Sequence, residues 1–339
     1  MKQHFLRLSI SFVFLLVTSM LIPGCGKKEP EKITDESNLI SLLPENTSGV
    51  ISINFEKLSA LKFFDKIIKE EKQKKEKKTG EMFENYDDFV QKTGIDLQKD
   101  VFSVAIATMG KIGDPKEEDP DAVAVAKLNY DKDKILALLR EQGTKFKEKA
   151  YRGVPVYTFK NDKCKVMMFS FITENITAIG VPGGVKKVID LSRGTGKSVL
   201  DNTGMNPFVK ELKSDAIISF VFESPEEARK VEKDKKAGKF KMDLSKVEAA
   251  LGFVDYGEKA WHGEIRLISH NKEENQRLVS ALNGLKLIFS AADPEIEEMV
   301  NNINISASAD EVKMEIFFSD EFLERLKKKI EEKNKCKKT

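Results

Sequence analysis

Apolar residues recur along this chain at two spacings. One is roughly every second residue, the other every third to fourth, and they predict strands and helices in turn. Folded structure is expected to begin at Leu39. Leu42-Leu43-Pro44 and then Gly49 lead into Val50–Phe55, an apolar run of strand composition. Leu58, Leu61, Phe64 and Ile68 recur at spacings of three and four and predict a helix. The mixed-charge run 69–78 would extend it into solvent. A further helix fits Met82–Val90 and stops at Thr93-Gly94. Val101–Thr108 and Ala122–Leu128 read as two strands that could pair across an acidic, Pro- and Gly-containing loop. Ile135, Leu138 and Leu139 mark a helix. Val154–Phe159, Cys164–Phe171 and Asn175–Val181 look like a three-stranded meander. Pro182-Gly183-Gly184 then turns the chain into a helix carrying Val185, Val188 and Ile189.

The pattern restarts after 202–212. Ala216–Phe222 reads as a strand, 225–236 and 243–251 as helices, and 252–256 and 260–268 as strands. A helix over 272–289 places Leu278, Leu282 and Leu285 on one face. A helix over 294–301 and strands over 302–308 and 311–318 follow. An amphipathic helix with Phe322, Leu326 and Ile330 closes the chain. Val50–Glu56 matches Ile217–Glu223 at four of seven positions, and Ile95–Lys99 resembles Met242–Lys246. Strands that arrive in adjacent groups with helices between them favour antiparallel sheets covered by helices. The expectation is an α+β protein of two related lobes, 39–213 and 214–333, with a basic tail at 334–339.

Several short motifs stand out within this order: Leu42-Leu43-Pro44, Gly153-Val154-Pro155-Val156-Tyr157, Gly196-Lys197-Ser198-Val199-Leu200 and Asn206-Pro207-Phe208. Together with the strand–turn–helix at Ile176–Leu191 they make the chain, over roughly 39–335, similar to an uncharacterised family of exported bacterial proteins. The resemblance implies an exported α+β protein. The family carries no assigned activity, so it supplies no site residues.

The first 25 residues differ from all that follows. Lys2 and Arg7 precede an apolar run of 15 residues, Leu8–Ile22, broken only by Ser and Thr. That is short for a bilayer-spanning helix, which needs roughly 20 residues, and fits a secretory signal peptide. The run ends Ile22-Pro23-Gly24-Cys25, which resembles the lipobox of bacterial lipoprotein signal peptides. The resemblance implies cleavage between Gly24 and Cys25, a diacylglycerol thioether on Cys25, and anchorage to a membrane facing the periplasm or cell exterior. Residues 26–38 are charged and nearly free of apolar side chains, the composition of a flexible tether.

Composition narrows the field further. Hydrophobic residues make up 40% of the 339 and charged residues 33%, enough for a sizeable core with 22 Phe to fill it. Only one long apolar run exists, which excludes a multi-span membrane protein. Lys and Arg number 57 against 55 Asp and Glu, and the excess lies in the leader, so the exported part is neutral. That speaks against a nucleic-acid partner. Beyond Cys25, the cysteines are Cys164 and Cys336. In an oxidising compartment they could bridge, although the Lys-rich surroundings of Cys336 favour two free thiols.

No catalytic constellation emerges. Gly194-Thr195-Gly196-Lys197-Ser198 lacks the earlier glycine of a phosphate-binding loop, because residue 191 is Leu, and it follows a helical pattern. It reads as a helix-terminating loop. Gly180–Gly184 lacks dinucleotide-binding spacing, and Pro182 offers no N–H. His262 and His270 have no nearby cysteine and read as surface residues. The acidic loop Asp114–Asp121 lacks the order of a calcium loop. No catalytic residue, cofactor or metal ligand is therefore assigned. The leading expectation is a non-enzymatic binding or structural protein of the envelope, with an envelope protein or an apolar ligand as partner. A carrier for an apolar ligand held between sheet and helices, and a hydrolase with an unrecognised site, are the alternatives.

Overall fold

The computed structural model describes residues 38–73, 83, 85–110, 121–141, 146–161, 164–224, 244, 246–292 and 294–326. Among them the chain is α+β, with twelve strands. It divides into two compact units between Asn206 and Pro207.

The first unit holds β1 (Thr47–Asn54), β2 (Val101–Met109), β3 (Asp121–Leu128), β4 (Lys147–Tyr151), β5 (Val154–Lys160), β6 (Val166–Phe171) and β7 (Ile176–Gly180). They lie in the order β1-β2-β3-β7-β6-β5-β4, antiparallel at every step. Alternation along each strand splits the side chains between two faces. Ile51, Ile106, Ala124, Ile179, Phe169 and Tyr157 are cross-strand neighbours on one of them. That face packs beneath α1 (Phe55–Ser59), α2 (Lys62–Lys72), α3 (Tyr86–Thr93) and α4 (Lys132–Glu141). Its aromatic rings stack directly. Tyr157 lies 4.8 Å from Phe169, and Phe83 meets Phe89 edge-on at 5.1 Å.

The opposite face carries Val50, Ala105, Ala107, Val123, Val125 and Ala178, all buried. It is covered by α5 (Pro182–Ser192) and by 3-10 turns at Leu39–Leu42 and Val199–Asp201. Helix α5 starts on Pro182, whose missing N–H costs nothing in the first turn. It then approaches the sheet so closely that a Cβ on Gly184 would lie 2.9 Å from both Met109 and Val123. Helix α3 shows why its sequence stops where it does. The Asn85 side chain accepts from the Asp88 N–H at 3.0 Å, and Gly94 closes the helix in the left-handed conformation, φ 74°.

The second unit holds β8 (Ile218–Glu223), β9 (Ala249–Gly257), β10 (Ala260–Ile268), β11 (Ile303–Ala307) and β12 (Glu311–Ser319), in the order β11-β12-β10-β9-β8. Strands β9 and β10 join through Glu258-Lys259, both at positive φ (52° and 60°), the geometry of a tight type I′ hairpin. Helices α6 (Lys272–Ala292) and α7 (Pro294–Asn301) follow. Leu278 of α6 packs on Val312 and Val247, with Leu267, Val279, Leu282 and Ile305 around them. The other sheet face carries ion pairs on β10 and β12, beside the buried Ala249 and Leu251 of β9. Arg266 bridges Glu311 and Glu211 at 2.6 and 2.5 Å, and Lys313 bridges Glu264 and Glu315 at 3.0 and 2.8 Å.

Several expectations are corrected. Residues 249–251 open strand β9 rather than ending a helix, because Ala249 and Leu251 bury against cross-strand partners Ile268 and Arg266. The single helix foreseen over Leu58–Ile68 is two, broken at Ala60 and Leu61, with Leu61 extended at φ −76°, ψ 137°. Strand β4 was not foreseen. Cys164 precedes its strand, in a turn at φ 60°. The helix over 225–236, the run 74–78, the signal with Gly24 and Cys25, residues 26–37 of the tether, Cys336 and the basic tail lie outside the described residues, as does the acidic loop before Asp121.

A buried polar knot ties α3 to the turn before β2. The Tyr86 hydroxyl donates to Asp96 Oδ1 at 2.8 Å and accepts from the Leu97 N–H at 2.9 Å. Burial and the neighbouring carboxylate push the Tyr86 hydroxyl far above its usual value. Burial also acts to raise the Asp96 carboxyl, but donation from Lys99, Tyr86 and the Gln98 N–H outweighs it and holds Asp96 below its usual value. A carboxyl lowered in the fold contributes stability above its unfolded value, and that contribution fades as pH falls through the folded value. The expected result is twofold. Tyr86→Phe, which strands the Leu97 N–H, costs about 1–3 kcal/mol in urea unfolding at neutral pH. The part of the acid-induced loss of stability below about pH 4 that Asp96 supplies is smaller in that variant, because its carboxyl is held less far below the unfolded value. Equal acid profiles for the two proteins would refute the coupling.

Candidate functional site

The motifs singled out in the sequence do structural work. Thr195 donates both its N–H and its hydroxyl to the Asp190 carbonyl, each at 2.9 Å, in the loop that ends α5. Ser198 then caps the Val199–Asp201 turn, accepting from the Leu200 N–H at 3.1 Å while its own N–H reaches Asp201 at 2.8 Å. The Gly180–Gly184 segment is the strand-to-helix turn foreseen. The Val181 N–H bonds the Ala122 carbonyl at 3.0 Å. These residues do not converge on a common point. The Asp190 carboxylate is occupied by Arg152 Nε at 2.7 Å and by the Tyr151 hydroxyl at 3.1 Å, which pins the β4–β5 turn.

The histidines stay apart. His262 lies on the ionic face of β10, its ring 5.0 Å from Phe317. Trp261 alternates onto the other face, beside Tyr256 at 5.3 Å. His270 is exposed at a turn, with Nδ1 3.2 Å from Asp310. Cys164 is an exposed free thiol. Among the described residues no group of three or more His, Cys, Asp or Glu side chains is placed to hold a metal. A shallow groove of about 340 Å³ in the first unit is lined by Glu56, Ser59, Gln98, Lys99 and Phe102. The neighbouring Asp65 carboxylate accepts from the Gln98 amide.

The surface that departs most from an ordinary soluble protein lies on the second unit. Three consecutive large apolar residues near the C-terminal end of α6 face solvent: Leu287 is 72% exposed, Ile288 50% and Phe289 50%. Consecutive residues on a helix are about 100° apart, so no single packing face could hide all three. The sequence carried this signal, although Leu278, Leu282 and Leu285 drew attention to the buried stripe instead. Just before this apolar end, Lys286 leans across to strand β11. Its Nζ donates to the Ile303 carbonyl at 2.5 Å. Strand β11 is the last of its sheet and pairs only with β12 among the described residues. Apolar ledge, ammonium group and strand edge are thus contiguous. No helix among the described residues is long and apolar enough to cross a membrane.

No family model matches the chain. No curated protein matches it. Among solved structures it is similar to crystal forms III, IV and I of TP0453, with TM-scores of 0.47, 0.44 and 0.43. Identities are 10%, 11% and 11%. The alignments cover 84%, 85% and 84% of this chain and 95%, 95% and 94% of those chains.

Proposed function

We propose that the chain is a lipid-anchored, extracytoplasmic protein of the bacterial envelope whose folded body binds a partner rather than performing catalysis. The observation that carries the address is Ile22-Pro23-Gly24-Cys25 at the end of a charged-then-apolar leader. Cleavage before Cys25 and acylation of its thiol would place the anchor at the new N-terminus. Each buried CH₂ contributes about 0.8 kcal/mol, so two or more acyl chains hold the protein stably. Residues 26–38 would then act as the tether that lifts the body off the bilayer. Binding is supported by the exposed apolar end of α6, since exposed apolar clusters mark interaction surfaces. The two units are read as related lobes, because Val50–Glu56 and Ile217–Glu223 share four identities and lie largely on β1 and β8.

Cys25→Ala tests the reading in cells. The expected outcome is complete loss of fatty-acid labelling and transfer of the protein from the membrane to the soluble fraction. A variant that fractionates and labels as the wild type does would sink it.

A further inference from the structure

We infer that the outer edge of β11, together with the flank of α6, is a strand-addition site for the C-terminal end of an extended partner peptide. The inference rests on the reading of the body as a partner-binding module and names the partner's chemistry. It does not depend on the anchor at Cys25, which the labelling experiment tests separately.

The ladder geometry fixes which groups of β11 point outward. The Phe317 N–H bonds the Asn302 carbonyl at 3.1 Å, and the Ser308 N–H bonds the Glu311 carbonyl at 2.9 Å. In an antiparallel pair the bonded positions alternate. Asn304 and Ser306 therefore turn their backbone groups toward β12, and Ile303, Ile305 and Ala307 turn theirs away. Among the described residues those outward N–H groups meet no acceptor. The Ile303 carbonyl meets only the Lys286 ammonium, at 2.5 Å.

Edge strands are commonly blunted by charge. Strand β4, at the end of the first unit's strand order, follows that rule with Lys147, Glu148 and Lys149. The sequence of β11, Ile-Asn-Ile-Ser-Ala, carries no charge. A peptide can thus add its backbone there. Antiparallel addition is the stronger mode, and every registered pair in the second unit is antiparallel.

Direction then decides what the peptide must offer. A strand antiparallel to β11 ends beside Ile303, where Lys286 stands. An ammonium group has three donors, and the Ile303 carbonyl takes one. A terminal carboxylate arriving there would meet the remaining two. Phe289 is three residues beyond Lys286 and Val279 seven before it, so all three share one side of α6. Phe289, half exposed, would receive the last apolar side chain of the peptide.

The probe is a short synthetic peptide alternating Thr and Val and ending in a free Val carboxylate, titrated into the exported chain while backbone amides are followed by NMR. The expected result is shift and exchange protection at Ile303, Ile305 and Ala307. The free acid should bind about tenfold more tightly than the same peptide with an amidated C-terminus. Lys286→Met should erase that tenfold preference. Ala307→Pro removes an outward donor without touching the β12 ladder, a position where proline is tolerated, and should weaken both peptides several-fold while the spectrum of the rest of the unit is unchanged. Three results would each overturn the inference. One is no response at β11 up to millimolar peptide. Another is binding indifferent to both variants. The last is protection of the β11 amides without peptide, whether it rises with protein concentration, which identifies a second copy, or vanishes on deleting 327–339, which identifies the chain's own C-terminal segment.

Discussion

Phe169→Ala is expected to destabilise the first unit by about 3–5 kcal/mol, the range for removing a buried aromatic side chain. The ring is 1% exposed on the helix-covered face of the sheet. It stacks on Tyr157 at 4.8 Å and meets Phe171 and Phe159 edge-on at 5.7 and 6.3 Å. Three aromatic neighbours would lose one partner at once, and their rings are too rigid to collapse into the space. Offset and edge-to-face pairs add about 0.5–1.5 kcal/mol each beyond burial, which puts the effect toward the upper end. Urea unfolding of purified wild type and variant measures it. A loss below about 1.5 kcal/mol would mean that the layer between sheet and helices repacks freely. That is the behaviour of a ligand-adaptable interior, and it would revive the apolar-carrier reading.

Gly252→Val is expected to prevent the second unit from folding at 37 °C. An ideal Cβ at Gly252 would lie 2.1 Å from the Glu264 carbonyl oxygen and 2.9 Å from the Phe220 ring. The first obstacle is backbone of the paired strand, so no rotamer change relieves it. Strand β9 would have to leave its register with β10, and a slip by one residue turns every β9 side chain to the opposite face, taking Ala249 and Leu251 out of their buried places. Loss of the Trp261 environment, read by fluorescence, and proteolysis confined to 207–326 are the expected signatures. Val254→Ala, a change on the same strand that adds no atoms, is the control and should leave both readouts near wild type. Wild-type stability in Gly252→Val would refute the close approach. By contrast, Gly257 has open space around an added Cβ and tolerates Ala there.

Much of the fold was legible because its strands carry an unambiguous period. Val101–Thr108, Ala122–Leu128 and 260–268 lie within one residue of where the sequence puts them. The misreadings have identifiable causes. Lys147–Tyr151 has no apolar face to announce it. Strand β4 is held by its register with β5 and by the Arg152 and Tyr151 contacts to Asp190, which join residues about forty positions apart. Val247 and Leu251 are four apart and mimic a helix, but Leu251 sits opposite Val221 and Arg266, and tertiary pairing decides. The break between α1 and α2 turns on Leu61, which adopts extended backbone with no sequence mark. The candidate site was less legible than the fold. Lys286 reads as an ordinary solvated residue until β11 is placed beside it. Leu287, Ile288 and Phe289 are legible as three consecutive apolar residues that no one helix face can bury, but their place beside Lys286 and β11 comes only from the fold.

The last of the described strands, β12, is not at the margin of its sheet but between β10 and β11. The second unit therefore stays open until residues 311–319 have been delivered. Until then, β10 would present an unpaired side and β11 would have no neighbouring strand among the described residues. A product truncated before Glu311 would keep that bare side permanently, which is the condition for intermolecular pairing and degradation. The arrangement makes delivery of residues 311–319 a requirement for closing the unit, so that copies lacking them expose themselves to proteases instead of persisting as near-native competitors.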